Sequence, residues 1–353
     1  MNNNTLLIFH LNGTVVDVSQ SIDSVARRVT QFYLGSLLGV SGAGAMVSDE
    51  DLHAFRAAGG LDDPIELSAA LLRYALSALP SAPPQRFAPE HLGQAAGFLA
   101  RRQQQLPPTT FDQLSEKLDF AAFAMQITQQ GGGRAGVAAA LGGWPHPLWV
   151  GTAEDELAVV RRLFLELYLG RVAYSQVYRQ PPRFYRGPGL YDHERLLIGR
   201  HVLDGLRRDY RGRMAAYSEW PRPLVQNMLA RMKISNIFDL ILTSEDLTAE
   251  AARMARRGET GAVAKPAPFL LREAADSLDP NRAHRALVIG NTLDDLRAVQ
   301  RANDDGRRQF EGWALVTRKS DEGQWRAALR AAGASQLVED GDDLLKRLND
   351  CRM

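Results

Sequence analysis

The sequence has little cysteine and no long apolar run. Its one cysteine, Cys351, lies near the end of the 353-residue chain, which excludes a disulfide framework and a cysteine-based metal cage. No apolar stretch approaches about 18 residues, and residues 1–4 lack the basic region of a secretion signal. We therefore expect neither a membrane anchor nor export, and a reducing cytoplasm is the expected setting.

Neither sign of charge is in excess. Lys and Arg number 42 against 41 Asp and Glu, which gives a net charge of +1. Such a balance gives no global electrostatic signature of nucleic-acid binding, so neither nucleic acid nor a membrane is expected as a partner. With 353 residues and 45% hydrophobic residues, the chain is long enough to bury a full core and to form two domains.

The N-terminal part of the chain begins with a short apolar run from Thr5 to Phe9, followed by a polar turn that contains Gly13. This pattern is typical of a buried strand whose carboxyl end carries a functional site. From Val16 onward, apolar residues recur at three- and four-residue intervals, which predicts a helix. No convincing strand pattern returns before Leu190.

The C-terminal part shows a different pattern, in which helices alternate with short apolar runs. Strands are predicted at 213–218, 238–243, 286–289, 314–317 and 336–338. This alternation is typical of βαβ units and a doubly wound, Rossmann-like parallel sheet, which the first strand must join to pair its backbone groups. We predict an α/β core from residues 1–15 and 190–353, with a large all-helical cap inserted at 16–189.

Within the insertion, local signals mark helix starts and linkers. Ser48 is the predicted N-cap of a helix over 48–56, and Thr152 is the predicted N-cap of a helix over 152–169. Each helix has acidic residues in its first turn. The proline-rich stretch 79–89 and Gly131–Gly133 have linker compositions, and the glycine run is the predicted site of mobility.

The turn after the first strand, His10-Leu11-Asn12-Gly13-Thr14, closely resembles the signature loop of the haloacid dehalogenase superfamily. In that family a hydrophobic strand ends in Asp-x-Asp-Gly-Thr. The resemblance places His10 at the position of the phosphate-accepting nucleophile and Asn12 at that of the general acid/base. Gly13 and Thr14 are retained, and the backbone N–H groups around them are expected to help hold an anion.

Three further motifs of that family follow in order, two of them at predicted strand ends and one before a predicted helix. Ser218 matches the hydroxyl that holds the transferring phosphoryl oxygen, and Lys265 matches the lysine that neutralises nucleophile and phosphate. The run 290–295 resembles Gly-Asp-x-x-x-Asp, whose acidic pair holds Mg²⁺. Here Asn291 replaces the first acid and Asp295 keeps the second.

Each of these residue types also suits an ordinary helix start, whether as an N-cap serine, a solvated lysine before a proline, or acids near a helix dipole. Their order along the chain favours the resemblance. It implies the superfamily fold with a cap after the first strand, and the segments 15–21 and 189–197 are similar to a phosphoglycolate-phosphatase-like branch.

The aromatic and basic segment 174–186 is interpreted as the return of the cap to the core rather than as a partner surface.

The substitutions change the chemistry that the resemblance implies. The family reaction needs a carboxylate nucleophile, an acid for the leaving group and Mg²⁺. His10, Asn12 and Asn291 remove three of the four carboxylates. An amide cannot transfer a proton at neutral pH, and general acid catalysis is worth ~10²- to 10⁴-fold. Because Mg²⁺ prefers carboxylate oxygens, we predict that the Mg²⁺ site is lost and that the protein has no cofactor.

We therefore predict a pseudophosphatase that binds an anionic or phosphorylated small molecule, or a protein partner, through Lys265, Ser218 and backbone N–H groups. Two alternatives stay open: a weak phosphatase, and a repurposed enzyme with non-phosphatase chemistry at the interface of core and cap. For the latter, the acidic run at 62–66 matches a pattern that holds Mg²⁺ against a diphosphate, although Pro64 favours a helix start. An imidazole at position 10 can itself accept a phosphoryl group, but it lacks the metal and the acid.

Overall fold

A computed structural model describes residues 5–42, 46–61, 63–80, 89–143, 146–316 and 322–350 of the chain. The chain divides into two compact units, which we call the core unit, Met1–Val18 with Glu194–Met353, and the helical unit, Ser19–His193. Within the described part of the chain, no helix combines the length and the apolar character that a membrane crossing requires.

The core unit contains a six-stranded parallel sheet with β1 at its centre. The strands in chain order are β1 Thr5–His10, β2 Val16–Asp17, β3 Arg195–Leu196, β4 Met214–Tyr217, β5 Leu240–Leu242, β6 Arg285–Gly290, β7 Phe310–Leu315 and β8 Gln336–Val338. The sheet has the order β5-β4-β1-β6-β7-β8, while β2 and β3 form a separate antiparallel pair. Every residue of β1 is buried, as its apolar sequence requires. The predicted α/β fold with a parallel sheet and a helical insertion is confirmed.

Helices account for most of the remaining described residues. In chain order they are α1 Ser24–Phe32, α2 Asp49–Ala57, α3 Pro64–Ser77, α4 Leu92–Gln103, α5 Phe111–Ser115, α6 Phe120–Gln129, α7 Gly133–Ala140, α8 Ala158–Tyr178, α9 Arg200–Asp209, α10 Arg222–Arg231, α11 Ser244–Arg256, α12 Phe269–Leu278, α13 Leu293–Ala302, α14 Glu322–Ala331 and α15 Gly341–Asp350. Helices α1 to α8 belong to the helical unit, and the others belong to the core unit.

Two helix starts in the helical unit follow the local chemistry that their sequences indicate. Ser48 caps α2 as predicted: its hydroxyl accepts a hydrogen bond from the N–H of Asp51 at 3.1 Å, and the Asp51 carboxylate accepts one from the N–H of Ser48 at 2.9 Å. Asp63 caps α3, and its carboxylate accepts from the N–H groups of the second and third helical residues, both at 2.8 Å. Asp63 therefore serves a helix start, while Asp62 lies outside the described residues.

Other predicted elements are wrong at their starts. Thr152 does not cap a helix, because the Asp155 carboxylate accepts from the N–H of Leu157 at 2.9 Å and closes a turn ahead of α8. Between residue 190 and the first predicted strand of this part, the chain also forms the short strand β3, which pairs with β2 before α9 begins. The strand predicted at 314–317 begins earlier, at the start of β7, and Thr317 lies outside the described residues.

The glycine run that was predicted to be a mobile linker forms a tight turn that opens α7. The N–H of Gly133 donates a hydrogen bond to the carbonyl of Gly59 at 2.8 Å. A Cβ atom at Gly132 would lie 2.8 Å from the carbonyl oxygen of Ala58. The glycines are therefore needed for the close approach of two backbone segments, and composition alone could not distinguish this from a linker.

Gly170 produces a kink inside α8. Its φ of +65° lies in the left-handed region, and a Cβ atom there would lie only 2.2 Å from the backbone nitrogen of Gly189. Residues 170 and 188 also form an antiparallel bridge. Gly170 thus lets the chain return directly against the helix, which no other residue type permits without displacement of one segment.

We expect Gly170→Ala to lower the free energy of unfolding of the helical unit by about 2–5 kcal/mol, because a left-handed backbone costs an alanine about 1–2 kcal/mol and overpacking adds about 1–3 kcal/mol. Denaturant unfolding measures the loss. Gly142→Ala is the matched control, since its φ is +70° and no described atom lies within 4 Å of its Cβ position. Equal losses in both variants would contradict the steric part of this explanation.

Candidate functional site

The site lies in the core unit, where the carboxyl ends of three neighbouring strands meet. Strand β1 lies between β4 and β6, and its register pairs His10 with Tyr217 and Phe9 with Ile289. Because parallel strands end at the same edge, the residues that follow β4 and β6, Ser218 and Asn291, come to the edge at which β1 ends. The sheet topology thus brings together segments that are far apart in sequence.

Asp295 lies in the first turn of α13 and is fully buried. Its backbone N–H donates to the hydroxyl of the N-cap, Thr292, at 3.1 Å, and its carboxylate Oδ2 accepts from the N–H groups of Asn291 and Thr292, both at 3.1 Å. A Cβ atom at Gly290 would lie 2.6 Å from the same Oδ2. The capping box and the missing side chain at Gly290 therefore hold this carboxylate against the end of β6.

Three side chains complete the shell of Asp295. Its Oδ1 accepts hydrogen bonds from Lys265 Nζ at 2.8 Å and from the Tyr217 hydroxyl at 2.7 Å, and its Oδ2 lies 3.1 Å from His10 Nδ1. The rings of His10 and Tyr217 are stacked, with centroids 5.1 Å apart and planes 10° from parallel. All of these side chains are buried, so the contacts are protected from solvent.

The protonation states follow from these contacts. Burial alone would raise the pKa of the Asp295 carboxyl, but the charges and hydrogen bonds of His10 and Lys265 hold that pKa well below its ordinary value. Burial raises the pKa of the Tyr217 hydroxyl well above its ordinary value, and the negative charge of Asp295 raises it further. Asp295 is therefore ionised at neutral pH, and Tyr217 keeps the proton that it donates.

Lys265 also contacts a second carboxylate. Glu219 Oε2 lies 3.4 Å from Lys265 Nζ, and Glu219 Oε1 accepts from the Lys265 backbone N–H at 3.2 Å. The positive charge of Lys265 is thus offset by the carboxylates of Asp295 and Glu219.

The two asparagines that replace acids are each held by a neighbouring hydroxyl. Ser218 Oγ donates to Asn12 Oδ1 at 2.6 Å, and Thr14 Oγ1 donates to Asn291 Oδ1 at 3.1 Å. Since both amide oxygens accept these bonds, each amide presents its NH₂ group elsewhere. Among the described residues, the buried Nδ2 of Asn12 has no hydrogen-bond partner.

Gly13 creates the space for one of these amides. Its φ is +78°, and a Cβ atom there would lie 2.3 Å from Asn291 Nδ2. Its N–H donates to the carbonyl of Val16 at 2.8 Å, so this N–H is used within the turn itself. The glycine of the signature loop therefore allows the amide of Asn291 to pack against the backbone of β1's turn.

The Mg²⁺ that the resemblance implies does not fit these residues. The five donors around Asp295 occupy the lone-pair positions of its carboxylate, and the oxygens of Asn12 and Asn291 already accept hydroxyl protons. Over the ranges that the structure describes, no group of three or more His, Cys, Asp or Glu side chains could hold a metal ion. The polar side chains of the site therefore form a closed hydrogen-bond network and leave none of these carboxylate and amide oxygens free for a metal ion.

The structure brings the predicted site residues to one edge of the sheet: His10, Asn12, Gly13, Thr14, Ser218, Lys265, Asn291 and Asp295. Two residues were missed, Tyr217 and Glu219. Both flank Ser218, so the available signal was their position at the end of a strand beside a predicted site residue. Nothing in the sequence indicated that the tyrosine would contact an acid 78 positions away.

Comparison with solved structures identifies proteins of similar fold. A crystal structure solved as a target of the Northeast Structural Genomics Consortium is 15% identical, with a TM-score of 0.59 over 98% of each chain. Phosphatase Tt82 from Thermococcus thioreducens is 20% identical over 92% of this chain and 98% of its own, with a TM-score of 0.48. A predicted phosphoglycolate phosphatase from Haemophilus somnus is 14% identical over 98% of both chains, also with a TM-score of 0.48.

Comparison of the sequence itself gives no such relative, since no protein-family model and no curated protein matches the chain. The structural likeness, at these identities, concerns the fold alone. The structure with a TM-score of 0.59 supports the α/β fold with a parallel sheet and a helical insertion.

Proposed function

We propose that this chain, which has the haloacid dehalogenase-like fold, binds an anionic ligand in its core unit without a metal and has no Mg²⁺-dependent phosphomonoesterase activity. The ligand class is a phosphate or a phosphorylated small molecule. The chain thus keeps the position of a phosphoryl-transfer site while its residues serve binding.

One observation carries this proposal: the side-chain oxygens of Asn12, Asn291 and Asp295 all accept hydrogen bonds from donors of the chain itself. A metal would have to displace Lys265 and Tyr217 from Asp295, and it would meet amide oxygens in place of carboxylates. Asn12 also cannot protonate a leaving group, which removes the general acid.

The same hydrogen bonds favour an anion. Because Ser218 fixes the Asn12 oxygen as an acceptor, Asn12 Nδ2 is a buried donor without a partner among the described residues. Such a donor costs about 1–3 kcal/mol unless an acceptor meets it. A phosphate oxygen supplies that acceptor, whereas an aspartate at this position would repel it.

Calorimetric titration with inorganic phosphate in the presence of EDTA tests the proposal. We expect binding to the unchanged chain and at least about tenfold weaker binding to Asn12→Asp, a loss of about 1.4 kcal/mol. The substitution keeps an oxygen for the Ser218 hydroxyl, so the fold is preserved while the donor is lost and a negative charge is added.

Asn227→Asp is the control for the added charge, because Asn227 lies on α10 and its Oδ1 accepts from Arg231 Nε at 3.0 Å. It should bind phosphate like the unchanged chain. Binding that requires Mg²⁺, or equal weakening in both variants, would contradict the proposed site. Multiple turnover of p-nitrophenyl phosphate that depends on Mg²⁺ would contradict the proposed loss of phosphatase activity.

A further inference from the structure

His10 is held in one orientation by two contacts. Its Nδ1 lies 3.1 Å from Asp295 Oδ2, and its ring is stacked on Tyr217. Because an ionised carboxylate accepts hydrogen bonds only, the neutral form of the ring carries its proton on Nδ1 and its lone pair on Nε2, and this is the form that can react. A carboxylate that fixes a histidine in this way prepares the other nitrogen for reaction as a base or as a nucleophile.

The Nε2 atom has no other assigned use. Among the described residues, the polar contact of His10 is that of Nδ1 with Asp295, and Nε2 has no hydrogen bond to a protein group. The ring lies at the end of β1, in the position that the family uses for its phosphate-accepting carboxylate. Imidazole is itself a nucleophile that forms covalent intermediates.

We propose that His10 Nε2 accepts a phosphoryl group from an acyl phosphate and becomes a phosphohistidine. This inference rests on the proposed anion site, because the donor's phosphate must first bind beside Asn12. The Nε2 lone pair forms the N–P bond while the P–O bond to the acyl group breaks. The carboxylate leaves with that electron pair, and the phosphorylated ring, which is now cationic, keeps its proton on Nδ1, where it is hydrogen-bonded to Asp295 Oδ2.

The missing acid selects the donor class. An alkyl phosphate ester releases an alkoxide, which needs a proton at the moment of departure, and Asn12 cannot supply one. An acyl phosphate releases a carboxylate, which is stable without a proton. The unpartnered N–H of Asn12 can instead stabilise charge on the phosphoryl oxygens during transfer.

The same substitution makes the product persist. In the family reaction a second carboxylate activates the water that removes the phosphoryl group, and here that position is the amide of Asn12. Without a base to activate water, hydrolysis of the N–P bond is not assisted by the site. The chain should therefore accumulate a single stable phosphoryl group per molecule instead of turning over.

Incubation of the full chain with acetyl phosphate, followed by intact-protein mass spectrometry, tests the proposal. We expect one added phosphoryl group that is acid-labile and alkali-stable, located at His10 by fragmentation. His10→Asn should lose the label, since its amide nitrogen can replace Nδ1 but offers no nucleophile. Glycerol phosphate, an alkyl ester, should give no label with any variant.

His201→Gln is the matched control. His201 Nε2 also lies 3.1 Å from a carboxylate, that of Asp342, but its side chain is 74% exposed and far from any strand-end site in sequence. This variant should be labelled like the unchanged chain. If His10→Asn does not fold, fragmentation of the labelled unchanged chain still shows whether the phosphoryl group is on His10.

Label at any residue other than His10, or no label on the unchanged chain, would overturn the inference. The phosphate titration separates this from failure of the proposed function. Phosphate binding without labelling would reject only the phosphohistidine, whereas loss of both would reject the anion site as well.

Discussion

Replacement of Asp295 by asparagine will lower the free energy of unfolding of the core unit by about 3–5 kcal/mol, the range for loss of one partner from a buried ion pair. Asp295 is fully buried, and its Oδ1 accepts from Lys265 Nζ at 2.8 Å. Without that charge, the carboxylate nearest to Lys265 Nζ in this network is that of Glu219, whose Oε2 is 3.4 Å away. The new amide would also present an NH₂ group to donors. Denaturant unfolding measures the loss.

Asp294→Asn is the matched control. Asp294 lies in the same first turn of α13 and is buried as well, and its carboxylate pairs with Arg297, whose side chain is 42% exposed. Because the arginine of this pair is screened by solvent, we expect a clearly smaller loss of stability than for Asp295→Asn. Similar losses in both variants would mean that the helix dipole causes the loss of stability. They would contradict a contribution from the buried network around Asp295.

A double-mutant cycle isolates the ion pair itself. Lys265→Met removes the charge that Asp295→Asn leaves behind, so the double variant should lose clearly less stability than the sum of the two single variants. Additive losses would mean that Lys265 and Asp295 do not stabilise each other. Such additivity would reject the closed network on which the proposed loss of the metal depends.

The dependence of stability on pH follows from the same pair. The folded-state pKa of Asp295 lies well below its value in an unfolded chain, about 3.9. The stabilisation is therefore complete above that unfolded value, and it is lost as the pH falls toward the folded-state pKa. Unfolding between about pH 5 and pH 2 should show a steeper loss for the unchanged chain than for Asp295→Asn.

The sequence was sufficient to predict which segments form the edge of the sheet. A run of five mostly apolar residues before a polar turn has few alternatives to a buried strand. His10, Ser218 and Asn291 follow predicted strands, and their order with Lys265 along the chain placed them at one edge. Those signals are local, because each depends on a strand and the few residues that follow it.

The chemistry between these segments could not be predicted in the same way. Tyr217 ends an apolar strand, so its sequence indicates a core residue, and only the pairing of β1 with β4 brings it beside His10. The orientations of the Asn12 and Asn291 amides depend on the hydroxyls of Ser218 and Thr14, each of which comes from a segment distant in sequence. Burial and long-range hydrogen bonds, which decide whether an acid is available to a metal, become visible only in three dimensions.

Restoring the family's acids should recover more phosphatase activity when the network around Asp295 is opened as well. The variant His10→Asp, Asn12→Asp, Asn291→Asp regains a nucleophile, a general acid and a second metal ligand, and the acid alone is worth ~10²- to 10⁴-fold. Yet the Tyr217 hydroxyl would still donate to Asp295 Oδ1 at 2.7 Å. We expect Tyr217→Phe, added to the three acids, to increase Mg²⁺-dependent hydrolysis of p-nitrophenyl phosphate by at least a further ~10-fold, or about 1.4 kcal/mol.

Comparison of four chains resolves the contributions to this effect: the unchanged chain, Tyr217→Phe alone, the three acids, and the three acids with Tyr217→Phe. Tyr217→Phe alone keeps the ring that stacks on His10 and should remain inactive, because it restores neither nucleophile nor acid. Asp295→Asn added to the most active chain should abolish the Mg²⁺ dependence, since it removes the carboxylate that the opened network offers to the metal. If the unchanged chain already hydrolyses the ester at the rate of the restored ones, the substituted positions do not limit catalysis and the proposed loss of function is wrong. If all four chains are inactive although folded, the missing determinant lies outside this edge of the sheet, and the hydrogen bonds of Asp295 do not explain the lost reaction.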